Sequence, residues 1–327
     1  MSSLTRLPCL LLALLLAGCA THLVPAGPTI EPPRVTTGAF VMPDGMRLPY
    51  RAWLPTGEPW AVMLALHGMD DSGDAMEIPA PDFTDAGIAV FSPDQRGFGA
   101  TVVRGYWPGT RALVDDARQM AALLRARYPH ARLVLLGESM GAAVLMCLAT
   151  EPDPPVAAAY VLVAPAVWAR SEMNAIERGG LWLASNLMPG LTTTGEAAHV
   201  RASDNRQALI RLSRDPLTIH ATRFDTIKGL VDLMDAAAAA TPRFDVPALV
   251  LYGGKDELIP PRAMARVWRA LPSGPVRAFY PGGYHLLLRD LERAAPIGDI
   301  IDWLLDRTAP LPSGAEEAVS SWLARQP

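Results

Sequence analysis

Residues 133–146 read Leu133-Val134-Leu135-Leu136-Gly137-Glu138-Ser139-Met140-Gly141-Ala142-Ala143-Val144-Leu145-Met146. Four consecutive branched apolar residues predict a strand buried on both faces, and the small and apolar residues after Gly141 predict a helix. Gly137 and Gly141 bracket Ser139 in a Gly-x-Ser-x-Gly turn between the two. A serine held there needs a strained backbone, and neighbours lacking a Cβ let the turn close with the hydroxyl exposed. The stretch therefore predicts an α/β architecture that presents a nucleophilic serine at the end of a buried strand.

An unperturbed alcohol is a poor nucleophile at neutral pH, so Ser139 needs a base, and the base an orienting carboxylate. Ala248-Leu249-Val250-Leu251-Tyr252 reads as a buried strand and runs into a loop carrying Asp256. Val276-Arg277-Ala278-Phe279-Tyr280 reads as another strand, followed by Pro281-Gly282-Gly283-Tyr284-His285. The order serine, acid, histidine is the one this architecture uses. A developing oxyanion is usually held by two backbone N–H groups, and Met140 and Met69 are the candidates. Met69 follows the apolar run 61–66 and the His67-Gly68 turn, in which His67 is expected to shape the loop.

The set His67-Gly68, Asp94-Gln95-Arg96-Gly97-Phe98-Gly99, Gly137-Glu138-Ser139-Met140-Gly141, Asp256 with Ile259-Pro260, and Gly283-Tyr284-His285-Leu286-Leu287 resembles an α/β-hydrolase branch. That branch contains monoacylglycerol lipases and lysophospholipases and is grouped with serine aminopeptidases of the prolyl type. The resemblance spans residues 38–307. It implies Ser139 as nucleophile, Asp256 as acid, His285 as base, and Met69 and Met140 as oxyanion donors. One stretch departs from the family pattern. Where monoacylglycerol lipases continue the early loop with Gly-Glu-His-Ser-Gly-type residues, this chain has Met69-Asp70-Asp71-Ser72-Gly73, so specificity on the alcohol side is not carried over.

The body of the chain supports the same fold class. Phe40 to Met42 and Leu48 to Trp53, joined by Pro43-Asp44-Gly45, predict an edge hairpin. Continuous apolar strands at 62–66, 88–92, 132–136, 160–164, 248–252 and 276–280 alternate with helical stretches such as 110–127, which predicts a mostly parallel sheet covered on both faces. The alternation breaks between Pro165 and Pro247, so residues 166–246 read as a helical cap inserted after the sixth main strand, dividing a hydrolase core of 37–165 and 247–307. Trp168, Trp182 and Met188 are the expected acyl-chain contacts in that cap. Asp94 and Arg96 are expected to brace a loop rather than touch substrate. His199 and His220 lack metal-ligand spacing and read as solvated. No Walker loop, dinucleotide turn or zinc motif occurs, so neither cofactor nor metal is expected. A net charge of −4 with interspersed charges argues against a nucleic-acid surface.

The N-terminus has its own logic. Arg6 precedes an apolar run from Cys9 to Ala17, short for a membrane span and apt for a signal-peptide core. The run ends in Leu16-Ala17-Gly18-Cys19, which resembles the lipobox of bacterial lipoproteins. That resemblance implies a signal peptide over 1–18, acylation of Cys19 and a lipid-anchored place on the periplasmic face of the cell envelope. Residues 19–36 are proline-rich and read as a tether, and 308–327 as a C-terminal tail. Cys147 would then be the sole mature thiol and is expected to serve core packing, with no disulfide possible within one mature chain.

The expected activity is hydrolysis of a small amphiphilic ester, of the monoacylglycerol or lysophospholipid type, by a membrane-tethered serine hydrolase. Two rivals remain: an aminopeptidase, which needs an anionic group such as Glu172, Glu177 or Glu196 for a free ammonium, and a non-catalytic binding lipoprotein.

Overall fold

The apolar runs become the strands β1 (Arg34–Thr36), β2 (Ala39–Val41), β3 (Arg47–Trp53), β4 (Ala61–Leu66), β5 (Ile88–Pro93), β6 (Arg132–Glu138), β7 (Ala159–Val163), β8 (Thr192–Thr193), β9 (Thr222–Arg223), β10 (Ala248–Gly253) and β11 (Val276–Tyr280). They belong to a computed structural model that describes residues 21–194 and 200–327. Among the described residues, one sheet has the order β1-β2-β3-β5-β4-β6-β7-β10-β11. The β1 to β3 edge is antiparallel and the strands from β5 to β11 in that order are parallel. Parallel pairing brings the carboxyl ends of β4, β6, β10 and β11 to one edge, which is where the candidate residues follow.

Helices cover both faces: α1 (Ala80–Asp85), α2 (Thr110–Arg127), α3 (Met140–Ala149), α4 (Ala175–Leu187), α5 (Arg206–Arg214), α6 (Phe224–Ala240), α7 (Pro261–Ala270), α8 (Ala294–Leu305) and α9 (Glu317–Ala324). The two-residue period of a strand divides the core. Val62, Leu64 and Leu66 of β4 pack with Leu113, Leu145, Leu233 and Trp268, whereas Ala61, Met63 and Ala65 pack with Phe83, Ile300 and Trp303.

Four boundaries differ from the sequence reading. The proline-rich stretch does not hang free, because Arg34–Thr36 extends the sheet and the Val24 N–H donates to the Trp107 carbonyl at 3.0 Å. With β1 included, the strand before the cap is seventh in chain order. The interval 166–246 is not all cap, since Leu233 and Ala237 of α6 are buried in the main core with α3, and β8 pairs with β9 in a short ribbon. The C-terminal tail also belongs to the core: the Trp322 ring lies 5.1 Å from Trp268 and 5.1 Å from Phe279. Aromatic burial of that size ties the segment to the core. Residues 1–18, Cys19, Glu196 and His199 lie outside the described residues.

Candidate active site

Ser139 joins β6 to α3 with φ 52° and ψ −110°, a left-handed conformation rare outside glycine. Such a backbone costs on the order of 1–3 kcal/mol and persists only where its surroundings hold it. Here the Ser139 N–H donates to the Val163 carbonyl at 2.9 Å, and the Ala166 N–H donates to the Ser139 carbonyl at 3.0 Å. The flanking glycines are needed sterically. A Cβ at Gly141 would sit 2.2 Å from the Leu66 carbonyl oxygen, and one at Gly137 would sit 2.5 Å from the Ala142 nitrogen.

Asp256 follows β10, and its Oδ1 accepts from the N–H groups of Leu258 (2.8 Å) and Ile259 (2.9 Å). Those two bonds aim Oδ2 at His285, whose Nδ1 lies 2.8 Å away. A carboxylate only accepts, so Nδ1 carries the proton and Nε2 keeps a lone pair. His285 is held from both sides, with the Leu286 N–H donating to Ala202 and the Tyr284 N–H to Asp290. Burial pulls the imidazole pKa down, but the carboxylates of Asp256 and Glu138 outweigh it, and the net displacement is upward.

His285 and Ser139 share the wall of a cavity of about 670 Å³, without a direct hydrogen bond between them. Catalytic hydrogen bonds are often long in free enzymes and tighten only on binding. The loop after β4 forms another wall, and a Cβ at Gly68 would lie 3.4 Å from Ser139 Cβ. Met69 lines the cavity, and Met140 is the first residue of α3. Among the described residues neither N–H donates to a protein acceptor, which leaves both available to an oxyanion.

The buried Arg289, absent from the sequence reading, ties these loops together. Its Nη1 lies 2.8 Å from Asp71 Oδ2, and its Nη2 donates to Glu138 Oε1. The usable signal was only the pairing of unexplained acids beside two functional motifs. His67 shapes its loop as expected: its Nε2 accepts from the Gln95 N–H at 3.0 Å while Nδ1 meets the Gly68 carbonyl at 2.7 Å. Asp94 and Arg96 brace as well, but not with each other. Asp94 accepts from the N–H groups of Gly73 and Ala100, and Arg96 pairs with Asp116 and Asp44, each at 2.7 Å. Burial pushes the Cys147 thiol up to about 12, so it stays protonated as packing.

The cap contacts require correction. Trp168, Trp182 and Met188 do not line the cavity, whose cap side is formed instead by Thr194, Ala202, Leu212, Thr218, Ile219 and His220. α4 buries only Ser185, leaving Trp182 62% exposed, while Trp168 packs against the main core. His220, read as solvated, is exposed and stands on the rim of the cavity. The lining comes from short, separate pieces of chain, among them the end of α5 at Leu212 and the loop at Thr218 to His220, which no single periodic pattern links in the sequence.

Residues 57–292 match the family described as serine aminopeptidase, S33. The chain belongs to that family. This serine hydrolase is 25% identical over 270 residues to the monoacylglycerol lipase of Mycolicibacterium smegmatis, covering 82% of this chain and 96% of that one. It is 28% identical over 280 residues to the monoglyceride lipase of Homo sapiens, covering 83% and 90%. Among solved structures it superposes on a soluble variant of monoglyceride lipase from Saccharomyces cerevisiae with a TM-score of 0.68 and 17% identity, covering 89% of this chain and 99% of that one. The fold is therefore that of the α/β-hydrolases.

Proposed function

We propose that this enzyme hydrolyses carboxylic esters of amphiphilic lipids, of the monoacylglycerol or lysophospholipid type. The reading is carried by one observation: the buried Asp256–His285 hydrogen bond at 2.8 Å opens onto the same cavity as the strained Ser139. The named relatives, monoacylglycerol and monoglyceride lipases, support the ester and lipid parts of it.

In this mechanism Ser139 Oγ attacks the acyl carbon as its proton passes to His285 Nε2, with Asp256 stabilising the imidazolium. The Met69 and Met140 N–H groups hold the oxyanion. His285 returns the proton to the leaving alcohol, then activates the water that frees the acyl group. The peptidase reading is weaker, because two of its cap carboxylates are already occupied. Glu172 pairs with Arg266 at 2.6 Å and Glu177 caps α4, and neither lines the cavity.

Lipidation of Cys19, and with it a place at the cell envelope, is part of the same proposal and rests on the Leu16 to Cys19 sequence. Among the described residues, no helix is long and apolar enough to cross a membrane. A Cys19→Ser variant is expected to lose lipid incorporation and detergent-phase partitioning while remaining active.

The catalytic test combines fluorophosphonate labelling with turnover of p-nitrophenyl esters of increasing chain length. Ser139→Ala should abolish labelling and turnover, and Asp256→Asn should lower turnover about 10⁴-fold. Full activity in either variant would overturn the assignment.

A further inference from the structure

The proline-rich stretch after Cys19 leaves almost no free chain. The His22 N–H donates to Asp225 Oδ2 at 3.1 Å, the Val24 N–H to the Trp107 carbonyl at 3.0 Å, the Gly27 N–H to Asp44 Oδ2 at 2.9 Å and the Ile30 N–H to the Pro43 carbonyl at 2.8 Å. The His22 ring meets the edge of Tyr106 with centroids 4.9 Å apart, and the Arg223 guanidinium lies 4.9 Å from the centroid of the same Tyr106 ring. Pro25, Pro28, Pro32 and Pro33 fix φ in advance, so pinning the segment costs less chain entropy. His22 follows Cys19 by three residues, so their Cα atoms are at most about 11 Å apart.

The point where the segment is pinned is continuous with the end of α4. Asp225, which holds His22, donates its own N–H to the Pro189 carbonyl at 3.0 Å, and the Phe224 N–H donates to the Leu191 carbonyl at 3.0 Å. Trp182 and Leu183 in the last turns of α4, Met188 and Leu191 just after it, and Leu23 in the pinned segment are all exposed. Large apolar side chains grouped in this way mark a surface that meets another apolar body.

We propose that residues 22–24 are a latch that turns an acylated Cys19 from a tether into a rigid mount, holding the exposed end of α4 against the bilayer that carries the Cys19 acyl chains. The proposal rests on the lipidation reading and adds an orientation to it. The acyl chains enter hydrocarbon at Cys19, and the head-group layer above them is only about 5–7 Å deep, so a body pinned about 11 Å or less from Cys19 touches that layer. Tryptophan settles at that depth, and Leu183, Met188 and Leu191 bury apolar surface beside Trp182. The β8–β9 ribbon, which carries Arg223, leads to Thr194 and Thr222 on the cavity wall, so the mounted face adjoins the cavity.

The test uses the full chain, reconstituted into phosphatidylethanolamine–phosphatidylglycerol vesicles with brominated acyl chains, which quench nearby indoles. The difference between wild type and Trp182→Phe isolates Trp182, which should be quenched. His22→Pro with Val24→Pro removes both N–H donors and should lower that quenching at least about twofold. A Gly/Ser insertion of about ten residues between Ala20 and Thr21 keeps the latch but lengthens the reach, and should lower it as well. Both variants should lose turnover of a decanoyl glyceride held in the vesicle while turnover of soluble p-nitrophenyl butyrate is unchanged. Quenching of Trp182 that survives in both variants would overturn the latch. An acylated, vesicle-bound wild type with Trp182 unquenched, or with the α4 face cross-linked to a second copy, would overturn the mount and leave lipidation standing. A wild type whose mass shows no acyl group on Cys19 would remove the lipidation reading and the mount with it.

Discussion

Arg289 Nη1 stands 2.8 Å from Asp71 Oδ2, binding the loop that carries His285 to the loop that carries Met69. Its Nη2 donates to Glu138, the residue before Ser139, so one side chain holds the three loops that meet at the cavity. Removing it leaves two buried carboxylates unpaired, which typically costs 3–5 kcal/mol. Arg289→Met should therefore lower the melting temperature by on the order of 10 °C and reduce turnover. Adding Glu138→Gln and Asp71→Asn should return part of the stability. A melting curve for Arg289→Met that overlays the wild type would contradict the clamp.

The elbow glycines should be intolerant in a way that distinguishes sterics from helix propensity. Gly141→Ala forces a Cβ to 2.2 Å from a backbone oxygen and should destabilise the fold by several kcal/mol. Gly179 in α4 has open space around its Cβ position, so Gly179→Ala should stabilise by up to about 1 kcal/mol. Chemical denaturation of both variants measures the contrast, and equal effects would refute it.

The His285 pKa is raised above its ordinary 6.5 despite burial. A raised folded pKa makes the protonated form a source of stability that is complete below 6.5 and lost as pH rises through the folded value. Catalysis needs the neutral imidazole, so the acid limb of the kcat/KM profile should lie above pH 6.5. Asp256→Asn removes the largest opposing carboxylate, and its residual activity should show that limb moved to lower pH. A limb at or below 6.5 in the wild type would count against the environment described for His285.

Asp70 shifts stability with pH in the same direction as His285 but over a lower range. Its folded pKa of about 6 exceeds the model-peptide value of 3.8, so its contribution is complete below 3.8 and becomes a penalty as pH rises through 6. Asp70→Asn keeps the shape, tolerates positive φ and removes the charge. It should stabilise the protein by up to about 3 kcal/mol at pH 8, with the gain vanishing near pH 4. Thermal melts at the two pH values decide it; a destabilised variant at pH 8 would show that the ionised form is wanted by the fold.

Trp182 of α4 is exposed and is not among the residues that line the cavity. Trp182→Ser should leave both stability, within about 0.5 kcal/mol, and the dependence of kcat/KM on acyl-chain length unchanged. Leu212→Ser, on the cavity wall, should flatten that dependence, since each buried methylene offers up to about 0.8 kcal/mol. The reverse pattern would restore the cap helix as the acyl site.

What the chain determined by itself is local. The strand at 132–138, the turn around Ser139 and the helix at 110–127 follow from steric exclusion and periodicity, which act between residues a few positions apart. The loops bearing Asp256 and His285 were likewise legible because each follows an apolar strand whose carboxyl end the parallel sheet aligns with the others. What the tertiary structure alone decided depends on contacts between distant residues. Arg289 meets Glu138 across 151 positions and Thr222 meets Asp70 across 152, and no local pattern encodes either pair. The exposure of Trp182 and the burial of Trp322 were decided in the same way. An apolar residue carries the same transfer free energy wherever it stands, and only the packed neighbours determine whether it faces core, cavity or water.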